Sequence, residues 1–535
     1  MARADTGTSQ PDNLEEATIK FLNSLRVTDP DVDMVRIENS KDPLLEGCYK
    51  WILKNSLLKE WRCSNTNHLL WINGDPGKGK TMLMIALARE LSKNLPGNPP
   101  TVTVFFCQST DDRLNNAVAI LRGLIWNLAM KEPRLAKILR QKYEPDQSLL
   151  NGPNAVFALF SALTLMLNEQ PETTILIDAL DECDSGPGRS QLLDLITKNA
   201  SSSSKSKWLL SSRNNPDIKQ RLQSKSQMLS LELNDEHISQ AVIAFIKQKT
   251  CELATMLKYD QDLAADVEKE LIERSDSTFL WVALACKNLS SVSSWKTLST
   301  LQKLPPGLEP LYHRMMQDIL LNDREDGQLC FQILRSICEV FRPLSLEELA
   351  TTAGLPVELL KPNYLLDLIG RCSSFVTVRQ GNIYFIHQSA KDYLTTSGAE
   401  KLFSNGIHEE HGVLIGRSFT AMSKTLQRDM CNLRYPGSQA HTATIGDQLR
   451  AIRYICCFWV DHLVKYFDGN LIDGLFHKDY VEDGGPVRQF LLEHLLHWLE
   501  AFSLFGEYNK GVRAILSLES LIPVSHLRDI FGNSD

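Results

Sequence analysis

The pattern of apolar and polar positions divides the chain into a first half of alternating strands and helices and a second half made mostly of helices. Segments with helical spacing, notably 115–130 and 157–167, separate short runs of apolar and β-branched residues that are typical of buried strands. Strands that alternate with helices predict a parallel sheet covered on both faces. The five predicted strands are residues 69–72, 101–107, 173–178, 207–212 and 228–233.

Helical patterns precede and follow this α/β region. Residues 14–25 and 44–61 predict helices, and residues 36–38 between them predict a short extended piece. Ser345 and Glu348 have the spacing of a capping box and predict the start of a later helix. Two strand-like runs around a turn at 380–382 predict a β-hairpin, and three helices followed by a hairpin form a winged-helix arrangement. The other helical patterns after the sheet cover residues 238–257, 263–273, 278–289, 329–340 and 364–371, and most of the chain after 389.

The first predicted strand leads directly into a glycine-rich loop, GDPGKGKT at residues 74–81. A strand, this loop and a helix, in that order, are the context of a phosphate-binding loop whose backbone N–H groups surround a phosphate. Lys80 would bridge the β- and γ-phosphates, and the Thr81 hydroxyl would hold Mg²⁺. The predicted nucleotide-binding residues of this segment are Gly74, Asp75, Pro76, Gly77, Lys78, Gly79, Lys80, Thr81 and Met82.

An acidic segment ends the third predicted strand. Asp178 closes the apolar run TTILID, and Asp181 and Glu182 follow it. Ligands of open α/β sheets bind at the carboxyl edge of the strands, so Asp178 would hold Mg²⁺, and Asp181 or Glu182 would orient the attacking water or act as the base. A strand separates the phosphate loop from this acidic strand, an order that resembles one branch of the P-loop proteins, and the resemblance implies the sheet order 5-1-4-3-2.

Arg213 follows the fourth predicted strand, which neighbours the phosphate-loop strand in that order. Its guanidinium could reach the γ-phosphate and report whether this group is present. An arginine in a solvated loop is the plainer alternative. We predict the functional role and place Arg213 with Asp181 and Glu182 as the catalytic residues.

Composition narrows the class of protein. The chain has 535 residues, is 43% hydrophobic and carries a net charge of −8, and it has no dense run of lysine and arginine, so a nucleic-acid partner is not expected. The twelve cysteines are scattered, with no C-x-x-C pair, which indicates reduced intracellular thiols. No apolar run approaches membrane-spanning length, and the polar first residues lack a signal core. We therefore expect a soluble cytoplasmic protein.

Taken together, GDPGKGKT, ILIDALDECD and LLSSRNNPDI resemble the NACHT family of STAND nucleotide switches. The segments RIENSKDPLLEGCYKWIL, FFCQSTDDRLNNAVAILRGLIW and FIHQSAKDYL are similar to the filamentous-fungal heterokaryon-incompatibility type, the HET-E-like proteins. The resemblance implies an NLR-like protein that is closed with a diphosphate and open and oligomeric with a triphosphate. It also implies that His387, in FIHQ, contacts the diphosphate from the winged helix. A hairpin histidine paired with Asp392 or a backbone carbonyl is the alternative.

The domain division follows from the patterns and the resemblance. We predict a disordered tail (1–13), a helical preface (14–66), a NACHT P-loop domain (67–234), a helical domain (235–304), a winged-helix domain (305–400) and a C-terminal helical domain (401–535). Many relatives carry a Gly-x-Pro base contact where this chain has Phe279 to Ala283, so the base, ATP/ADP or GTP/GDP, stays open. Such proteins usually also carry an N-terminal effector and a C-terminal repeat sensor. The chain is therefore either truncated or a switch that works through a protein partner.

Three functions remain possible at this point. The first, which we favour, is a switch with Mg²⁺ and slow triphosphatase activity that self-associates on activation, in incompatibility or innate-immunity-like signalling. The second is a nucleotide-locked scaffold with little or no hydrolysis. The third is a phosphotransferase, for which the long helical second half offers no acceptor site. His494 and His497 lie three apart on an apolar helix, but no third ligand set is visible, so we expect no metal there.

Overall fold

The computed structural model describes residues 16–93, 101–150, 152, 154–170, 172–201, 206–322, 324–433, 445–469 and 485–521. The predicted tail at 1–13 lies outside these residues. The chain divides into two compact units, Met1–Leu311 and Tyr312–Asp535, and each is described by itself.

A five-stranded parallel sheet forms the centre of the first unit. Its order is β2-β3-β4-β1-β5, the predicted order 5-1-4-3-2 read from the other edge. All five residues of β1 are buried, as are those of β2 and β3, which is why these strands appear in the sequence as continuous apolar runs. The strands are β1 (Leu69–Asn73), β2 (Val102–Phe106), β3 (Thr174–Asp178), β4 (Lys207–Ser212) and β5 (Gln227–Ser230).

Helices precede the sheet, connect its strands and follow it. The first helix and the helices between β2 and β5 share a core with the sheet that includes Trp71, Phe105 and Trp208. Gly123 permits the closest approach, since a Cβ there would lie 2.3 Å from the Phe105 ring. The helices are α1 (Glu16–Leu25), α2 (Pro30–Ser40), α3 (Glu46–Lys54), α4 (Ser56–Cys63), α5 (Lys80–Leu91), α6 (Ala117–Lys131), α7 (Pro133–Tyr143), α8 (Ala155–Glu169), α9 (Pro187–Ala200), α10 (Pro216–Leu222), α11 (Asp235–Leu257), α12 (Gln261–Arg274), α13 (Phe279–Leu289) and α14 (Thr297–Lys303).

The sequence prediction was wrong at two places before the sheet. Residues 36–38 are not extended but lie in α2, which begins with Pro30 after the Asp29 side chain accepts hydrogen bonds from two backbone N–H groups. The single helix predicted at 44–61 is two helices. Asn55 ends α3 in an extended conformation, and its side chain caps α4 by accepting from the Leu57 N–H.

The described part of the second unit is helical apart from one hairpin. The capping box at Ser345 and Glu348 is present as predicted. The hairpin joins β6 (Val376–Arg379) and β7 (Asn382–Phe385) through Gln380 and Gly381, both with positive φ. The helices are α15 (Leu308–Asn322), which starts just before the unit boundary, α16 (Arg324–Glu339), α17 (Leu346–Ala353), α18 (Pro362–Arg371), α19 (Gln388–Thr395), α20 (Ala399–Leu402), α21 (Ile407–Thr425), α22 (Asp447–Ala451), α23 (Arg453–Gly469), α24 (Pro486–Phe505) and α25 (Tyr508–Leu521). Among the described residues, no helix is long and apolar enough to cross a membrane.

Candidate functional site

The glycine loop at the carboxyl end of β1 turns directly into α5. Gly77 and Gly79 have φ of 81° and 84°, left-handed values that favour glycine, and Gly79 occupies the N-cap position of α5. No side chain of the described residues caps this helix. The first N–H groups of α5 therefore need another acceptor, and a phosphate oxygen is the acceptor that a helix N-terminus favours.

Lys80 reaches back over the loop that precedes it. Its Nζ donates to the carbonyl oxygens of Gly74, at 2.5 Å, and Asp75, at 2.9 Å. Burial lowers the pKa of Lys80, while the Asp181 carboxylate acts in the opposite direction. The half-buried ammonium lies within the loop and carries a full positive charge, so a phosphate oxygen bound there could accept a charge-assisted hydrogen bond from it.

Thr81 and Asp178 lie close together at the same edge of the sheet. Asp178 is 2% exposed, and its carboxylate accepts a hydrogen bond from Ser211 Oγ at 2.5 Å. Burial raises the pKa of Asp178, and the neighbouring Ser211 and Thr81 hydroxyls oppose the rise. A carboxylate and a hydroxyl side by side form an oxygen donor set that fits Mg²⁺, so the two predicted metal-binding residues are together.

Asp181 and Glu182 have different surroundings although they are adjacent. Asp181 is paired with Arg213, whose Nε lies 3.2 Å from Oδ2 and whose backbone N–H donates to Oδ1 at 3.0 Å. Glu182 accepts a hydrogen bond from the Ser109 backbone N–H at 3.0 Å, and burial, followed by the charge of Asp181, raises its pKa to about 7. A carboxyl group that exchanges its proton near neutral pH is suited to act as a base.

The remaining predicted residues occupy more peripheral places. Pro76 and Met82 are half-buried, in the loop and in the first turn of α5. Asp75 is held by its backbone N–H, which donates to Glu232 Oε1 at 2.5 Å, and by its side chain, which accepts from Asn214 Nδ2 at 3.3 Å. Sequence reasoning missed Glu232 and Asn214. The only signal for them was their position just after β5 and β4, at the edge of the sheet where the loop lies.

A turn between α12 and α13 lies against the loop and was also missed. Lys78 Nζ donates to the carbonyl oxygens of Asp276 and Ser277, and the Leu280 N–H approaches the Gly77 carbonyl oxygen at 3.4 Å. The Phe279 ring packs over Gly79, where a Cβ would meet it at 3.1 Å. This turn leads into residues 279–283, the segment that stands where many relatives carry the Gly-x-Pro base contact.

His387 lies in the second unit, directly after β7. It is the N-cap of α19, and its Nδ1 accepts from the Ser389 N–H at 3.1 Å. The Nδ1 atoms of His494 and His497 are 3.4 Å apart on α24. Among the residues that the structure describes, no group of three or more His, Cys, Asp or Glu side chains could hold a metal ion.

The chain is similar to known proteins along nearly its whole length. Residues 47–213 match the family model described as "Nephrocystin 3, N-terminal". The vegetative incompatibility protein HET-E-1 of Podospora anserina is 39% identical over 525 residues, which are 94% of this chain and 38% of that protein. The chain thus spans well under half the length of this curated relative. The predicted resemblance to the fungal incompatibility type is confirmed.

Solved structures give weaker likenesses. A Walker-type ATPase of Pyrococcus abyssi is 14% identical, covering 63% of this chain and 93% of its own, with a TM-score of 0.31. A RuvB mutant of Thermotoga maritima is 15% identical, with coverages of 64% and 93% and a TM-score of 0.26. The Orc1 protein of Aeropyrum pernix, solved in complex with DNA, is 12% identical, with coverages of 73% and 99% and a TM-score of 0.26. TM-scores this low do not establish a shared overall fold.

Proposed function

We propose that this chain, a homologue of a vegetative incompatibility protein over nearly its whole length, is a nucleotide-dependent signalling switch. It binds ATP or GTP with Mg²⁺ and changes between a closed diphosphate state and an open, self-associating triphosphate state. One observation carries the proposal. Lys80, Thr81, Asp178 and Glu182 converge at the carboxyl edge of a parallel sheet, beside a glycine loop that opens a helix.

The surroundings of each residue suggest its task. Lys80 and the N-terminus of α5 would take the β- and γ-phosphates. Thr81 and Asp178 would hold Mg²⁺, which when bound offsets the charge of the phosphate oxygens. Asp181 is occupied by Arg213, so we assign the water-activating base to Glu182. Arg213, positioned by that ion pair, would contact the γ-phosphate.

The second unit would provide the gate. The order α16, α17, α18 and then the β6–β7 hairpin suits a winged helix, and we propose that His387 at its end contacts the bound diphosphate. We also propose that opening exposes surfaces for self-association and for a protein effector or sensor. The likeness to an incompatibility protein supports a role in that kind of signalling. A cytoplasmic location would suit the scattered, unpaired cysteines.

The first test is to purify the protein, denature it and identify the released nucleotide by chromatography and mass spectrometry. We expect ADP or GDP in the wild type and in Lys59→Ala, whose side chain is exposed on α4. Lys80→Ala should release none and should bind added triphosphate at least a hundredfold more weakly, because this lysine supplies charge to the phosphates. Equal triphosphate binding by Lys80→Ala would refute the phosphate-loop assignment. A wild type that holds no nucleotide and binds none would refute the proposal as a whole.

Single-turnover hydrolysis separates the switch from the nucleotide-locked scaffold, because one set of residues serves both. A wild type that binds triphosphate with Mg²⁺ and converts it to diphosphate is a switch with turnover. A wild type that binds it equally well and never converts it is a scaffold.

A further inference from the structure

Two consecutive residues between α12 and α13 have an unfavourable backbone conformation. Asp276 and Ser277 have φ of 46° and 50°, in the left-handed region, which aspartate adopts more readily than most residues and serine seldom adopts. Such a conformation persists only when surrounding contacts hold it in place. The contacts that hold this turn are therefore informative.

The phosphate loop provides one of these contacts, and the Thr278 hydroxyl, which donates to the Asp276 carbonyl oxygen at 3.0 Å, provides another. The ammonium of Lys78 donates to both strained residues, to the Asp276 carbonyl oxygen at 3.2 Å and the Ser277 carbonyl oxygen at 3.1 Å. A further hydrogen bond of 2.5 Å joins the hydroxyls of Ser277 and Ser239, the latter on α11. Both carbonyl groups thus turn toward one cation, which is the arrangement that a pair of left-handed residues makes possible.

The turn and the loop also meet through their backbones. Leu280 N–H approaches the Gly77 carbonyl oxygen, and a Cβ at Gly77 would lie 2.8 Å from Thr278 Cγ2 and 3.0 Å from Leu280 Cβ. The two left-handed glycines of the loop therefore serve a second purpose besides directing N–H groups at a phosphate. They leave room for residues 276–280 to lie directly on the loop.

We infer that Lys78 is a positioning residue that latches the 276–280 turn onto the phosphate loop and so couples the loop backbone to α13. The inference rests on the proposed nucleotide binding. It deepens that proposal by assigning a role to Lys78, a loop residue whose ammonium contacts the 276–280 turn. Because Lys78 lies between Gly77 and Gly79, its latch also fixes the backbone N–H groups on either side. The latch should favour diphosphate and triphosphate equally, whereas Lys80 acts on the phosphates themselves.

The test compares Lys78→Met, which keeps most of the aliphatic stem and loses the ammonium, with Lys303→Met on an exposed position of α14. Stopped-flow release of a fluorescent diphosphate and of a non-hydrolysable triphosphate gives one readout. Hydrogen–deuterium exchange of the peptide covering 275–282 gives the other. We expect Lys78→Met to release both nucleotides five- to twentyfold faster and to exchange faster at the Leu280 amide. Lys78→Arg, which can also donate to two carbonyl groups, should restore most of both properties.

A second background tests the strain directly. In Asp276→Gly/Ser277→Gly the turn no longer depends on a latch to stay left-handed, because glycine adopts this region freely. Lys78→Met should then change the exchange of 275–282 much less than it does in the native turn. Equal changes in both backgrounds, or a Lys78→Met chain that matches Lys303→Met in both readouts, would overturn the latch. If Lys80→Ala loses nucleotide while Lys78→Met matches Lys303→Met in both readouts, the latch is refuted and the proposed nucleotide binding is not. The exchange measurement tests the latch even if no nucleotide binds.

Discussion

Two clusters of ionisable side chains, one in each unit, differ in how completely their members are paired. At the edge of the sheet in the first unit, burial raises the pKa of Asp178 and Glu182 and lowers that of Lys80, so every shift disfavours the charged form. Carboxyl groups outnumber cations around Lys80, whose charged neighbours are Asp181, Arg213, Asp178 and Glu232. Such a group of side chains gains from a bound cation and a bound anion.

The helical core of the second unit buries a chain of hydrogen bonds that satisfies itself. Glu339 lies 2.7 Å from His411 Nε2, the two Nδ1 atoms of His411 and His462 are 2.8 Å apart, and the Tyr454 hydroxyl is 2.8 Å from His462 Nε2. The Tyr454 oxygen also accepts from the Phe341 N–H. With Glu339 ionised and both rings neutral, every proton has one acceptor, because donation then runs in one direction from Phe341 to Glu339.

The two clusters differ in whether the buried polar groups are paired with one another or are left for a ligand to pair. The histidine chain begins at a backbone N–H and ends at a carboxylate, so it is complete without a ligand and holds α16, α21 and α23 in place. The charged forms of the side chains at the sheet edge would be stabilised by a cation and an anion bound beside them. Removing a side chain should therefore change chemistry at the sheet edge and stability in the helical core.

The largest effect is expected from Glu182→Gln. Loss of a general base slows hydrolysis by about 100-fold or more, and triphosphate affinity should stay near the wild-type value because Lys80, Thr81 and Asp178 remain. Single-turnover hydrolysis and equilibrium binding measure the two quantities. Glu169→Gln, the same change at an exposed position at the end of α8, is the matched control. An unchanged rate in Glu182→Gln would transfer the role to Asp181 or favour the scaffold.

The same variant should be more stable than the wild type at alkaline pH. The folded pKa of Glu182, about 7, lies above its ordinary value of 4.5, so the stability this group contributes is present below pH 4.5 and is lost as pH rises through 7. At pH 8 the glutamine variant should therefore gain roughly 3 kcal/mol in the free energy of unfolding of the nucleotide-free first unit, from about 1.4 kcal/mol per pKa unit. Denaturant unfolding at pH 5 and pH 8 measures the gain, and an equal difference at both values would contradict it.

His462→Leu should lower the stability of the second unit by about 2–4 kcal/mol, because it leaves the Tyr454 hydroxyl and His411 Nδ1 buried without their partner. Denaturant unfolding followed by tryptophan fluorescence reports on this unit through Trp459 and Trp498, which pack nearby. Lys465→Gln, an exposed change on the same helix, should cost almost nothing. A loss in His462→Leu no larger than in this control would mean that the chain of hydrogen bonds contributes little.

The histidine chain should also make the second unit sensitive to acid. Burial, with the neighbouring His411, lowers the pKa of His462 well below its ordinary value of 6.5. Below pH 6.5 His462 binds a proton in the unfolded chain, whereas in the folded chain it stays neutral until the pH reaches its lower folded pKa. The stability is therefore complete above 6.5 and falls as pH drops toward the folded pKa, by up to about 1.4 kcal/mol per pH unit.

Several charged groups face this site from the surrounding helices. They include Glu339, which lies beside His411 Nε2, and Glu410 with its partners Arg335 and Arg417. Unfolding measured at pH 5.5, 6.5 and 7.5 in the wild type and in His462→Leu tests the assignment. The variant should have a shallower slope by close to one proton, and identical slopes would place the acid sensitivity elsewhere.

The sequence predicted those parts of the molecule whose signals are local. Continuous apolar runs gave all five strands, and the order of loop, intervening strand and acidic strand, through its resemblance to one branch of the P-loop proteins, gave the order of the sheet. The proximity of Thr81 and Asp178 follows from this order, because it places β1 and β3 on either side of β4. Capping chemistry gave the start of α17 for the same local reason.

The parts that were missed depend on tertiary contacts. Arg36 to Glu38 adopt a helix because Asp29 and Pro30 start one several residues earlier, which outweighs their short extended-looking pattern. The hydrogen bonds of Lys78 join residues 198 and 199 positions apart, and His411 and His462 are 51 apart. No periodicity links such distant positions, so only the packed chain reveals these partners.

The last prediction concerns His387, where a structural and a functional role overlap. Its Nδ1 accepts the Ser389 N–H as the cap of α19, so a neutral ring carries its proton on Nε2, and this is the atom that would donate to a diphosphate. A hydrogen bond to the charged diphosphate contributes about 1.5–3 kcal/mol, so its loss should speed diphosphate release by roughly one to two orders of magnitude. His387→Ala loses the cap as well as the ring, whereas His387→Asn supplies a side chain that caps helices well and removes only the imidazole.

If His387 holds the closed state, both variants should release diphosphate faster and self-associate more readily at a given triphosphate concentration, and Lys80→Ala in the same chain should suppress that association. Diphosphate off-rates and light-scattering mass decide the matter: wild-type values in His387→Asn, with defects only in His387→Ala, would reduce His387 to a helix cap.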